Sequence, residues 1–81
     1  MTTIYVDVHE PGSATIIGGG HQASVGTERP RKFYIEDSDT EALIGYASSY
    51  MAAAHAFARH HGIANPQIAI DYEHRHYGRL I

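Results

Sequence analysis

Residues 37–63 read DSDTEALIGYASSYMAAAHAFARHHGI, an alanine-rich stretch that decides the fold because it predicts one long helix. Ser38, followed three residues later by Glu41, is typical of the capping box at a helix start. Asp37 and Asp39 suit the positive end of the helix dipole. About 22 residues at a rise of 1.5 Å per residue give a rod of roughly 33 Å. We therefore expect the other segments to pack around this helix.

The length and composition favour one small globular domain spanning residues 1–81. Hydrophobic residues make up 43% of the chain and charged residues 19%, without a run long enough to cross a membrane or a signal-peptide pattern. The absence of cysteine excludes disulfides and thiolate chemistry and favours a cytoplasmic location. A net charge of −3 lacks the basic footprint of a general DNA-binding protein.

Four short segments have the alternating or β-branched pattern of strands: residues 3–8, 14–17, 31–36 and 67–71. The first two form a hairpin around Pro11-Gly12. The element order is then β-β-β-α-β, an α/β fold in which one long helix packs on one face of a small mixed sheet with three or four strands.

Two further segments have weaker patterns. Residues 23–26 either extend the sheet or lie in a loop, and residues 72–81 favour a short second helix. Gly18–Gly20 ends a strand, because a phosphate-binding loop would be followed by a lysine and a helix.

The position of the last strand brings acidic residues together. A strand that rejoins the sheet after a helix does so by a right-handed crossover and lies parallel to an earlier strand, here the first. Asp7 and Asp71 are then expected near the same end of the sheet, close to Glu41 at the start of the helix.

Three motifs, IYVD at residues 4–7, DTEAL at 39–43 and IAIDYE at 68–73, lie in the order strand, helix, strand. With these motifs the chain resembles a truncated core of the ribonuclease H-like superfamily. The resemblance implies that Asp7, Glu41 and Asp71 hold Mg²⁺ or Mn²⁺ for phosphodiester hydrolysis, with RNA–DNA hybrid as a substrate.

The chain also departs from that family. The fourth acidic position and the glycine-rich segment after the first aspartate have no counterpart, so a single-metal or inactive relative is an alternative. Each acid also has a structural explanation. Glu41 belongs to a capping box, Asp71 suits the cap of a turn, and Asp7 suits an exposed strand face.

Histidines form a second candidate site. His60 and His61 precede Gly62, the expected helix stop, while His74 and His76 follow Glu73 in the last segment. Imidazoles and a carboxylate are ligands for Zn²⁺ or Ni²⁺. Alternatively, His60 and His61 only interact with the helix dipole.

The last segment is also the locally basic part of the chain. Arg75, Tyr77 and Arg79 accompany its histidines, a composition suited to phosphate or to an acidic partner surface. A solvated terminus explains the same composition.

The expected helix has a second face of small residues, Gly45, Ser48, Ser49, Ala52 and Ala56. Small residues at helical spacing permit close approach of another element, which predicts a homodimer across this face. A neutral, exposed face is the alternative, because alanine is the best helix former.

Two functional hypotheses follow from these features. The first is a metal-dependent nuclease domain, or a degenerate nucleic-acid-associated relative, that uses Asp7, Glu41 and Asp71. The second is a non-enzymatic binding or inhibitor protein, of the small acidic type found in mobile elements, which acts on a protein target through its dimer surface.

Overall fold

The computed structural model describes residues 2–72, which form a six-stranded mixed sheet and one α-helix. The elements are β1 (Thr3–Glu10), β2 (Ser13–Gly18), β3 (His21–Arg29), β4 (Lys32–Asp37), β5 (Leu43–Ala47), α1 (Tyr50–His60) and β6 (Gln67–Tyr72). Across the sheet, the strand order is β5-β4-β3-β2-β1-β6. The predicted combination of a mixed sheet with one helix is confirmed. The sheet has six strands, however, whereas the sequence predicted three or four.

Strands β1 to β5 form an antiparallel meander in which each strand pairs with the next. Gly12, at φ 84°, closes the first hairpin in a conformation that glycine adopts without strain, so the predicted hairpin is confirmed. Residues 23–26 belong to the sheet rather than a loop, as part of β3. Ala23 and Val25 are buried, while Ser24 between them and Gly26 after them weaken the sequence pattern.

Strand β6 returns after the helix and pairs in parallel with β1, as the crossover rule predicts. Asp7 and Asp71 are direct register partners across this pair. The expected proximity of these two acids is therefore confirmed.

The prediction of one long helix over residues 37–63 is wrong for the first half of that segment. The observed helix α1 has 11 residues, and the preceding segment forms β5, which pairs with β4. Ile44 and Tyr46 are residue types that fit a half-buried strand. Pairing with β4 also supplies backbone hydrogen bonds along an otherwise open sheet edge, a tertiary gain that outweighs helix propensity.

The helix begins at a different cap from the one expected. Ser49 is the N-cap, and its hydroxyl accepts a hydrogen bond from the Ala52 backbone N–H at 3.1 Å. The SxxE pattern of Ser38 and Glu41 lies instead in the β4–β5 turn, where Glu41 has φ 61°. That left-handed backbone excludes Glu41 from a right-handed helix.

The helix ends where Gly62 predicted. Gly62 has φ 69° and donates its N–H to Arg59 O, while Ile63 donates its N–H to Ala58 O at 2.8 Å. These two bonds make a Schellman motif, which reverses the chain immediately after His61.

One face of the sheet is covered by α1 and contains the core; we call it the covered face. Alternate positions of the central strands point to it and are buried, among them Ile4, Val6, Val8, Ile16, Ala23 and Ile35. The helix contributes Ala53, Ala54, Phe57 and Ala58. The intervening strand positions point to the opposite side, the open face, where Tyr5 is 53% and Ile17 is 42% exposed.

The small-residue face expected to form a dimer does not exist as a helix surface. Gly45 lies in β5, Ser48 and Ser49 precede the helix, and Ala52 and Ala56 are half-buried on it. The homodimer stays a prediction, without this stripe to support it.

No helix within residues 2–72 combines the length and apolarity needed to cross a membrane. The short second helix predicted for residues 72–81 falls outside the described residues except at Tyr72, which belongs to β6.

Candidate metal centre

Within the described residues 2–72, one group of three metal-ligating side chains converges: Asp37, His60 and His61. Their ligand atoms all lie within 4.8 Å of one another. Asp37 is the last residue of β4, His60 is the last residue of α1, and His61 is its C-cap. The group therefore lies where the end of the helix meets the end of a central strand.

Asp37 is buried because alternate side chains of β4 point to the covered face, and Asp37 follows Phe33 and Ile35 in this series. Its Oδ1 accepts hydrogen bonds from the backbone N–H groups of Asp39 at 2.8 Å and Thr40 at 3.2 Å. These two donors are the main reason that the Asp37 pKa lies below its ordinary value. The carboxylate is therefore charged at neutral pH, with Oδ2 directed at His61.

His61 is enclosed by aromatic rings. Its ring stacks on His21 with centroids 3.8 Å apart, and the Phe57 ring packs edge-on at 4.7 Å. Only 9% of its side chain is exposed. Burial, followed by the neighbouring His21 and His60, lowers the His61 pKa, although Asp37 acts in the opposite direction. The imidazole is therefore neutral at neutral pH.

The His61 Nε2 atom is buried without a hydrogen-bond partner. It lies 3.4 Å from Asp37 Oδ2, a contact that is an ion pair only when His61 is protonated. We favour the neutral imidazole, because burial lowers its pKa and 3.4 Å is long for a hydrogen bond. Two potential ligand atoms thus face each other inside the protein, and one of them has no partner.

This arrangement fits a tetrahedral metal ion. Zinc bonds of about 2.0–2.1 Å to nitrogen and oxygen place two tetrahedral ligands about 3.3 Å apart. The 3.4 Å between His61 Nε2 and Asp37 Oδ2 matches that spacing. His60 is exposed and packs edge-on against His61, and one of its ring nitrogens lies within 4.8 Å of the Asp37 and His61 ligand atoms.

His21 completes the surroundings of the group but does not belong to the ligand set. Its ring lies nearly parallel to that of His61, with an angle of 10° between the planes. A stacked ring orients its partner rather than converging on the same ion. His21 is therefore a positioning residue for His61.

The structure divides the histidines predicted as a site. It brings His60 and His61 together, whereas Glu73, His74 and His76 lie outside the described residues, as do the basic residues of that segment. Asp37 was not predicted as a ligand, because the sequence pattern assigned it to a helix start. The signal for a buried carboxylate was its spacing, because Asp37 lies two residues after Ile35 and four after Phe33, on the same side of an alternating strand.

The three acids predicted as Mg²⁺ or Mn²⁺ ligands are not brought to one point. Asp7 and Asp71 are neighbours on the open face. Glu41 lies in the turn before β5, at the opposite edge of the sheet. Four strand spacings of about 4.8 Å separate β5 from β1, about 19 Å in all. Such a distance does not fit a shared ion, whose oxygen ligands lie about 2.1 Å from it.

No family model matches the chain, and no match is found among curated proteins or solved structures.

Proposed function

We propose that this protein is a small Zn²⁺-binding domain in which Asp37, His60 and His61 are the protein ligands. The observation that carries the proposal is the buried, unpartnered His61 Nε2 that faces the Asp37 carboxylate at 3.4 Å. Mixed imidazole and carboxylate ligands favour Zn²⁺ over Mg²⁺, which prefers oxygen. At neutral pH both Asp37 and His61 have the deprotonated form that metal binding requires.

The position of the site indicates a role in stability. His60 and His61 end α1 while Asp37 ends β4, so a shared ion would fasten the helix to the sheet. Zinc bound only to the folded state would stabilise it by about 2.7 kcal/mol at a free concentration 100 times the dissociation constant. Three protein ligands leave a fourth tetrahedral position, on the solvent side marked by exposed His60.

Calorimetric titration of untagged, chelator-treated protein with ZnCl₂ tests the proposal. We expect one ion per chain, a higher melting temperature and no competition from excess Mg²⁺. Co²⁺ should give the visible absorption bands of a tetrahedral centre with nitrogen and oxygen ligands. His60→Gln, at an exposed position, should weaken zinc binding at least tenfold without preventing folding.

His55→Gln is the matched control, because His55 is an exposed histidine on the same helix outside the ligand group. If the two variants bind zinc equally well, or if the wild-type protein binds none, the proposed function is refuted.

The ribonuclease H-like nuclease stays a prediction from the sequence. The register pairing of Asp7 with Asp71 favours it, whereas Glu41 is not placed to share an ion with them. Cleavage of labelled RNA–DNA hybrid in the presence of Mg²⁺ or Mn²⁺ tests it. Activity in the wild-type protein and none in Asp7→Asn would support it, and equal activity in both would exclude it.

A further inference from the structure

We infer that the open face of the sheet binds a basic protein surface, one that presents arginine or lysine beside apolar side chains. This inference is independent of the metal centre, which lies with the buried groups between the sheet and the helix end. Three features of the open face support this inference: a row of acceptor side chains, the position of the cations and a row of apolar side chains.

The first is a row of acceptors that crosses five strands. Direct register partners connect Asp71 to Asp7, Asp7 to Thr15, Thr15 to Ser24, and Ser24 to Glu36. The row therefore has carboxylates at both ends and hydroxyl groups between them. Asp7 and Glu36 lie three strand spacings apart, about 14 Å, a span suited to several basic side chains of one partner.

The second is the position of the cations. In the six strands, lysine or arginine occurs only at Arg29 and Lys32, both beside the β3–β4 turn. The Lys32 ammonium is already engaged, 3.5 Å from Glu28 and over the ring of Tyr46. The row itself contains no lysine or arginine, and the histidine that touches it, His9, has its Nε2 within hydrogen-bond distance of Thr15 Oγ1, at 2.8 Å. The charges of Asp7 and Glu36 are complementary to a basic partner.

The third is an apolar row beside the acceptors. Ala69, Tyr5 and Ile17 are direct register partners on neighbouring strands. Tyr5 and Ile17 are among the large exposed hydrophobic residues of the described chain. Exposed aromatic and aliphatic side chains flanked by polar groups are typical of protein-binding surfaces.

The same charges disfavour two other occupants. A second copy laid face to face would place carboxylates opposite carboxylates, and nucleic acid would bring phosphates against Asp7, Asp71 and Glu36. A basic protein surface is the partner that contacts Asp7 and Glu36 and buries Tyr5 and Ile17 at once.

The test uses the whole chain with EDTA present, so that metal binding plays no part. The probe is a fluorescein-labelled peptide in which arginines alternate with tyrosine and serine. We expect anisotropy to rise on binding at low salt and amide NMR shifts at Tyr5, Thr15 and Ser24. Asp7→Asn combined with Glu36→Gln should weaken binding about tenfold, the loss expected for two exposed ion pairs.

Asp39→Asn combined with Glu41→Gln provides a control of equal net charge, because both acids are exposed in the β4–β5 turn. It should leave affinity nearly unchanged. Equal weakening by both double variants would overturn the inference, since it would mean that only total charge matters. So would amide shifts confined to the helix, preference for a DNA oligonucleotide, self-association through the open face, or no binding at low salt.

Discussion

The two faces of the sheet are built from the same strands but differ in the burial of their side chains and in the surroundings of their charged groups. On β2, Ile16 points to the covered face and is fully buried, whereas its neighbour Ile17 points to the open face and is 42% exposed. The charged groups differ in the same way. Asp37 on the covered side is buried and hydrogen-bonded, while Asp7 and Asp71 flank each other at the open surface. One face therefore carries the stability and the candidate metal centre, and the other carries the candidate interaction surface.

We expect the greatest loss of stability at one of two adjacent positions of β2, one on each face of the sheet. Ile16→Ala should lower the free energy of unfolding by about 2–5 kcal/mol, because it leaves a cavity under the helix. Ile17→Ala, the matched control, should lower it by less than about 1 kcal/mol. Urea unfolding followed by circular dichroism measures both. Similar losses in the two variants would show that the open face is also packed.

A smaller effect compares packing in the central strand β2 with packing in the edge strand β5. A Cβ at Gly18 would lie 2.8 Å from Ile4 Cγ1 and 3.2 Å from Ile4 Cα, so Gly18→Ala should cost about 1–3 kcal/mol. At Gly45 a Cβ meets nothing within 4 Å. Gly45→Ala should be neutral or stabilise by about 0.5 kcal/mol through the unfolded chain. Thermal unfolding compares them, and the reverse ranking would contradict this packing.

Two serine variants test where the helix that covers one face of the sheet begins. Ser49→Ala should cost about 1 kcal/mol, because the Ala52 N–H loses its side-chain acceptor. Ser38→Ala should change stability by less than about 0.5 kcal/mol, because Ser38 lies in the β4–β5 turn. Chemical unfolding at neutral pH distinguishes the two. A larger loss for Ser38→Ala would favour the long helix that the sequence predicts.

The smallest effect concerns the buried imidazole in metal-free protein. Because the folded-state pKa of His61 is lowered, the unfolded chain binds its proton more tightly than the folded chain does. The free energy of unfolding should therefore fall as pH drops below about 6.5, the ordinary histidine pKa, towards the folded value. Asp37, whose pKa is also lowered, adds a loss below its ordinary carboxyl pKa.

Urea unfolding with EDTA between mildly acidic and neutral pH measures this slope, and His61→Gln should make it shallower. A rise in stability on acidification that disappears in His61→Gln would instead show that the protonated ion pair with Asp37 dominates.

Local sequence patterns predicted the elements in which the preference of the residues matches the structure they adopt in the fold. The first hairpin, the strand beginning near residue 31, the last strand and the Gly62 stop all follow from alternation or from backbone preference. The parallel pairing of β6 with β1 follows from the handedness of crossovers. The same reasoning failed at residues 37–47, where a capping-box pattern and nearby alanines favour a helix on local grounds.

The candidate metal centre was only partly predictable from the sequence. Adjacent His60 and His61 at a helix end are conspicuous, but Asp37 precedes them by more than twenty positions and had a plausible local role. Its burial depends on β4 continuing to residue 37, and its contact with His61 depends on where the helix ends. Both are distances through space, which sequence spacing does not contain.

Side-chain type and local backbone energy are enough to predict β1, β2, β4 and β6, the stop at Gly62 and the acidic character of the chain. The tertiary fold makes residues 43–47 a strand, since the gain from pairing with β4 exists only when the sheet is present. It likewise brought Asp37 to His61 and separated Glu41 from Asp7 by the width of the sheet. These distances join segments that lie far apart in the sequence, so they are set by how the segments pack in the folded chain.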